Sequence, residues 1–294
     1  MGIIRSNAAF YLDAKARGVT FERTLTLGRQ RLYVRQSELA DLAARYRPGL
    51  RDHIADLSYG GDADGFLQRF LDVRELQATD HSSYEGAAIV HDLNQPLPDA
   101  LHERFDVVID SGTLEHVFNL PVAIASCMQL VKRGGTLFLS SPANNLCGHG
   151  FYQFSPELWF RLFKDANGFT LVRLVLVTHP FPGAELSSRQ TWYDVRDPAD
   201  LGVRAPLMTR TPAFLMVEAT RTDVVPVLVT PPQQSDYVTR WNDGVDRNAG
   251  AHGARGLLRP LFKRLPARLQ AFVIGWYQRR LLCALRNARA FRRL

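Results

Sequence analysis

Residues 105 to 119 read FDVVIDSGTLEHVFN, and no other stretch narrows the choice of fold so far. Phe105 to Ile109 is a short, almost wholly apolar run, the pattern of a strand covered on both faces. It ends at Asp110-Ser111-Gly112, and a short helical turn carrying Glu115 and His116 follows at once. In an open α/β sheet, ligands bind beyond the carboxyl ends of the strands. The segment therefore sets acidic and small residues where a ligand would lie.

The surrounding sequence predicts alternating helices and strands. A helix is expected over Ser6 to Ala16, a first strand over Thr24 to Gly28, and a helix from a Ser37 cap through Tyr46. A helix over Phe66 to Leu71 leads to a second strand, Leu76 to Asp80, and a third, Ala87 to Asp92. The opening segment is the fourth, Leu120 to Val131 a helix, and Gly135 to Ser141 the fifth strand. Ser155-Pro156-Glu157 has the form of a helix start, with Ser as cap and Pro in the first turn. Phe169 to Thr178 supplies a sixth strand, and Ala213 to Thr220 a seventh, expected antiparallel at the end of the sheet, after a long polar connection. The expected fold is a Rossmann-like, doubly wound, seven-stranded and mostly parallel α/β sheet over residues 1–220. Residues 221–252 read as a linker and 253–294 as a basic helical tail.

The charge divides the chain in the same place. The net charge is +7, yet from Arg247 onward there are twelve Lys or Arg and no Asp or Glu, so the body before it is acidic. Within the tail, Leu269, Phe272, Val273, Trp276 and Phe291 share one helical arc, while Arg268, Arg279, Arg286, Arg289 and Arg293 share another. Such a helix suits either an anionic membrane surface or docking on protein. Nucleic acid is not expected as a partner, since no stacking platform or recognised module accompanies the charge. The three cysteines (Cys127, Cys147, Cys283) are far apart and fit reduced thiols. With no apolar leader and no run of about 20 apolar residues, the expected location is cytoplasmic, with a peripheral place at the inner face of the membrane through the tail.

The fourth and fifth strands together, FDVV, LEHV and the turn Gly134-Gly135 before Thr136 to Pro142, resemble the second half of a class I S-adenosylmethionine-dependent methyltransferase. The segments HDLNQP, GTLEHVFN and GHGFYQFSPE are similar to those of a group of bacterial methyltransferase-like proteins, over roughly residues 1 to 180. The resemblance implies S-adenosyl-L-methionine as cofactor and methyl transfer as reaction, with O-methylation of a small-molecule or glycan hydroxyl expected. The competing expectation is a methyltransferase-fold scaffold without catalysis, binding a partner or a membrane surface. It arises because the first strand ends Leu27-Gly28-Arg29-Gln30, with a single glycine where the family has several.

On the cofactor side the candidates are Gly28, Arg29, Asp80, Asp92, Asp110 and Gly112. Gly28 is either a strand-ending turn or a point of close backbone approach, with Arg29 placed to grip a carboxylate bidentately. Asp80 ends the second strand, where a carboxylate accepts both ribose hydroxyls; the alternative is an exposed turn residue. Asp92 ends the third strand, and the resemblance places it near the adenine amino group. On the acceptor side, the loop from Pro142 to Ser155 offers Asn145, His149, Tyr152 and Gln153. His149 and His116 are the candidate proton acceptors, because imidazole titrates near neutral pH. Glu115 and His116 read equally as residues that orient their turn. No His, Cys or carboxylate spacing resembles a metal site, and no metal is expected.

Overall fold

The computed structural model describes residues 2–180, 189–201, 209–243, 262, 264–282 and 287–294. Its frame is a nine-stranded sheet built outward from β6 (Phe105–Ser111), every residue of which is buried. The alternation of a strand divides its side chains between two cores. Phe105 and Val108 face one, and Val107 and Ile109 the other. β7 (Val131–Asn144) splits likewise, with Leu137 and Leu139 on one face and Phe138 on the other. A sheet buried on both sides needs helices on both sides, which is what the alternating pattern supplies.

Five strands are parallel. β5 (Ile89–Val90), β4 (Glu75–Asp80), β2 (Arg23–Leu27), β6 and β7 lie side by side in that order. α1 (Arg5–Ala16), α2 (Gln36–Tyr46) and α3 (Asp64–Leu71) cover one face. There Phe10, Tyr11 and Phe21 gather around Phe138. α4 (Leu120–Leu130) and α5 (Pro156–Leu162) cover the other, around Trp159, Phe163 and Phe169. Ser155 caps α5 as its sequence predicts, its hydroxyl accepting from the Glu157 amide at 3.2 Å.

The rest of the sheet is antiparallel and departs from the sequence reading. β10 (Ala213–Arg221) lies between β7 and β8 (Phe169–Thr178), paired antiparallel to both, not at the sheet end. Beyond β8 come β9 (Thr191–Val195) and β11 (Phe291–Arg293), so the sheet has two strands more than the seven expected. A separate parallel pair joins β1 (Gly2–Ile4) to β3 (Arg31–Tyr33). The alternation rule finds long strands and misses these: β1, β3 and β11 have three residues each and β9 five, too few for a period to register.

The linker and tail are corrected too. Residues 222–235 are tied to the domain: the amides of Thr222 and Asp223 donate to the Gly168 carbonyl, Leu228 N to Asn167 Oδ1, and Ser235 N to Glu157 Oε1. The tail is not one helix. Helix Ala267–Leu282 carries Arg268, Leu269, Phe272, Val273 and Trp276. Phe291 and Arg293 instead sit in β11, and Phe291 is buried in the core beside Trp159 and Tyr193. Arg286 lies outside the described residues, as do most of those expected to form the linker's second half. No helix among the described residues is long and apolar enough to cross a membrane.

If β11 is part of the sheet, truncating its buried ring opens a core cavity. Phe291→Ala is expected to lower the unfolding free energy by about 3–5 kcal/mol, read from urea denaturation. A change near zero would place the last strand outside the folding unit.

Candidate active site at the carboxyl edge of the sheet

The parallel strands all point their carboxyl ends at one edge, and their terminal residues meet there. Gly28 follows β2 with φ +67°, and its amide donates to the Thr79 carbonyl at 2.7 Å, binding the ends of β2 and β4 together. Gln30, buried at 1% exposure, folds back beneath this turn. Its amide nitrogen donates to the carbonyls of Leu27 at 2.7 Å and Gly28 at 3.1 Å. The expectation for Arg29 meets a competitor inside the protein. Its guanidinium is ion-paired with Asp62 at 3.2 Å and Asp64 at 3.0 Å.

Asp80 closes β4, with Oδ1 accepting from the His81 amide at 2.6 Å. Asp92 sits just past β5, and its Oδ1 accepts from both the backbone and side-chain nitrogens of Asn94, at 2.9 and 2.8 Å. Those two donors hold its carboxyl below the usual carboxylate range. His81 Nδ1 lies 4.0 Å from the same oxygen, so the β4 and β5 ends share one rim. Asn94 also accepts from the Asn119 amide at 2.9 Å, which ties this rim to the segment after β6.

At the end of β6, Asp110 is fully buried and accepts from the Thr113 amide at 2.7 Å, while its Oδ2 has no hydrogen-bond partner among the described residues. Thr113 reaches across to the Leu27 carbonyl at 3.1 Å. The turn is completed by Gly112 at φ +98°, a conformation that costs glycine little. The short helical turn Leu114–His116 then drives Glu115 inward to 0% exposure, with neither carboxylate oxygen hydrogen-bonded among the described residues. Burial raises both carboxyls, Glu115 further through the nearby Asp110. Among the described residues Asp110 accepts from the amides of its turn and Glu115 from no other residue, so the pair holds its negative charge on Asp110 and its proton on Glu115.

The loop after β7 folds over this turn. The amides of Phe151 and Tyr152 donate to the Glu115 carbonyl at 2.8 and 3.2 Å, and Tyr152 Oη donates to the Phe118 carbonyl at 2.7 Å. His149 is thereby brought to Glu115, Nε2 to Oε1 at 3.4 Å, with its ring 5.2 Å from that of His116. Partial burial, and after it the neighbouring His149, lowers His116 from the usual histidine value. Two other acceptor-side candidates are braces for the loop. Gln153 Oε1 accepts from the Leu146 amide at 3.0 Å, and the Asn145 amide donates to the carbonyls of Thr209 and Thr211 at 2.8 and 3.0 Å.

The edge thus unites Gly28, Asp80, Asp92, Asp110 and Gly112 with His116, His149 and Tyr152, and it turns Arg29, Asn145 and Gln153 to internal contacts. Sequence reasoning passed over Gln30, Thr113 and the full burial of Glu115. Asn94 and Asn119 gave a usable signal, an Asx turn after a strand and an amide at a helix start.

Comparison with known proteins adds a family. Residues 71–139, which run from the end of α3 through β4, β5, β6 and α4 into β7, match the family described as "Methyltransferase domain". Comparison with curated proteins finds no match. Among solved structures, the chain is similar to the 1,6-didemethyltoxoflavin-N1-methyltransferase of Burkholderia thailandensis, at 16% identity and a TM-score of 0.39, over 74% of this chain and 78% of that one. It is similar also to the N-methyltransferase NodS of Bradyrhizobium japonicum, at 12% identity and a TM-score of 0.37, over 74% and 96% of the two chains. A branched-chain polyamine synthase of Thermus thermophilus gives 14% identity and a TM-score of 0.36, over 80% of this chain and 62% of that one. Likenesses of this strength assign no substrate. The matched segment carries the ends of β4, β5 and β6, so this part of the doubly wound sheet is what resembles a methyltransferase domain.

Proposed function

We propose that the domain transfers a methyl group from S-adenosyl-L-methionine to a hydroxyl of a small molecule or glycan at the carboxyl edge of the sheet. The observation that carries the reading is the convergence of Asp80, Asp92 and Asp110 at successive strand ends, facing the loop that holds His149 against Glu115.

The donor set fits most of the cofactor. Asp80 Oδ2 has no donor among the described residues and suits a ribose hydroxyl, and Asp92 with Asn94 presents an amide and a carboxylate to an adenine edge. The buried, partnerless Asp110 Oδ2 is an anionic atom that suits a positive centre nearby. The methionine end fits less well, because Asp62 and Asp64 already occupy Arg29. When bound, the cofactor supplies an electrophilic methyl on a positively charged sulfur, which leaves as a neutral thioether. The chain's part is then alignment and exclusion of water. An acceptor oxygen gives its lone pair to the methyl carbon and loses its proton, and His149 is the group on the acceptor side placed to take it.

The occupied Arg29 and the single glycine favour the second reading, a scaffold of methyltransferase fold. Calorimetry with S-adenosylhomocysteine separates the two. The enzyme reading expects binding that Asp80→Ala abolishes; no detectable heat at high ligand concentration would sink it. Gln30 gives an independent measure of the first turn. Gln30→Ala uncovers two carbonyls and should cost about 1–3 kcal/mol of stability while weakening cofactor binding.

The C-terminal helix supports contact with an anionic membrane surface. Leu269, Phe272, Val273 and Trp276 recur at the spacing of one helical face and are all exposed, Phe272 at 70%, with Arg264 and Arg268 beside them. Anionic vesicles should co-float the full chain, and Phe272→Ser with Trp276→Ser should release it. Equal flotation of the variant would return this helix to a protein-docking role.

A further inference from the structure

One group at the edge has no assigned part in methyl transfer. Glu115 places a carboxylate at 0% exposure with no donor to either oxygen among the described residues. Such burial is costly unless a proton or a cation answers it. Two imidazoles stand near it. His149 Nε2 stands 3.4 Å from Oε1, beyond the distance of a charge-assisted bond. One ligand atom each from Glu115, His116 and His149 falls within 4.8 Å of the others.

The chain spends several contacts on this convergence. Glu115 and His116 are adjacent, but His149 arrives from the loop after β7, fixed by the Phe151 and Tyr152 amides on the Glu115 carbonyl and by Tyr152 Oη on the Phe118 carbonyl. Gly150 is required at the crossing. A Cβ there would come to 2.8 Å of the Glu115 carbonyl oxygen and 3.0 Å of its Cγ, and would push His149 away. These bonds act on the backbone of the liganding residues, as outer contacts do in metal sites.

We propose that Glu115, His116 and His149 form a two-histidine, one-carboxylate site for a divalent transition ion of the Zn²⁺ class, at the carboxyl end of β6. Two imidazoles and a carboxylate are an established donor set for an open zinc centre, with further positions left for water or substrate. Around a tetrahedral ion with bonds of about 2.0–2.2 Å, ligand atoms stand roughly 3.3–3.6 Å apart. The Glu115–His149 pair already has that spacing. His116 is exposed and closes the remaining gap by rotation of its side chain. On the methyl-transfer reading, and in this clause alone resting on it, the ion would bind the acceptor hydroxyl and acidify it, replacing His149 as the agent of deprotonation.

The test is metal binding, measured without cofactor. Full-length chain treated with chelator and dialysed is titrated with ZnCl₂ by calorimetry, and its metal content is read after gel filtration. One equivalent is expected, with His116→Ala and His149→Ala each weakening affinity by at least about 100-fold, as loss of a direct ligand should exceed the 10–100-fold cost of an outer contact. Both histidines are exposed, so these variants should retain the fold, which circular dichroism checks. Co²⁺ gives a second readout: its visible absorption should be present in the wild-type chain and lost in His149→Ala. No retained zinc, or zinc retained equally by both variants, overturns the site. Zinc binding without S-adenosylhomocysteine binding would uphold the site and reject the methyl-transfer reading; the reverse would do the opposite.

Discussion

Two carboxyl groups, Asp110 and Glu115, are buried within five residues of each other, and among the described residues only Asp110 accepts from the amides of neighbouring residues. That inequality organises the edge. Asp110 is fixed by the turn through Gly112 and Thr113, and Thr113 carries the link on to the end of β2. Glu115 uses its main chain to seat the loop after β7 and its side chain to face His149. The strand ends, the turn and the loop are therefore coupled through one residue. Its backbone serves structure and its carboxylate serves chemistry.

Much of this edge was legible in the sequence because it lies on long, strongly patterned strands. β6 and β8 follow from apolar runs, and the ends of β4 and β6 carry the acids that alternation predicts. What escaped detection has physical reasons. Strands of three residues, β1, β3 and β11, fall below the length at which a period shows. The place of β10 is a matter of sheet order, which local pattern does not encode. Phe291 fits a helical arc on paper because a hydrophobic residue suits a helix face and a sheet core equally, and only long-range pairing with β9 decides.

Site residues divide along the same line. Asp80 and Asp110 stand out in the sequence because position at a strand end is a local property. Arg29 was misleading, since its partners Asp62 and Asp64 lie more than 30 residues away and compete with any ligand for the same guanidinium. Asn145 and Gln153 carry side chains fit for substrate, but Gln153 accepts from its own loop and Asn145 donates to the segment before β10. The Glu115–His149 meeting has no sequence signal, because the two are separated by α4 and most of β7 and joined only by the fold of the loop.

The position of β10 has a consequence for how the molecule comes apart. It is the sole ladder between the five parallel strands and the β8, β9 and β11 group. All hydrogen bonding across the sheet passes through the β7–β10 seam at that point. Loosening the seam would free four strands, β10, β8, β9 and β11, as a block and leave the parallel strands, with the aspartates on β4 and β6, still paired. The molecule is in this sense hinged in its sheet: one half carries the chemistry, and the other can detach as a cooperative unit without taking the ends of β2, β4 and β6 with it.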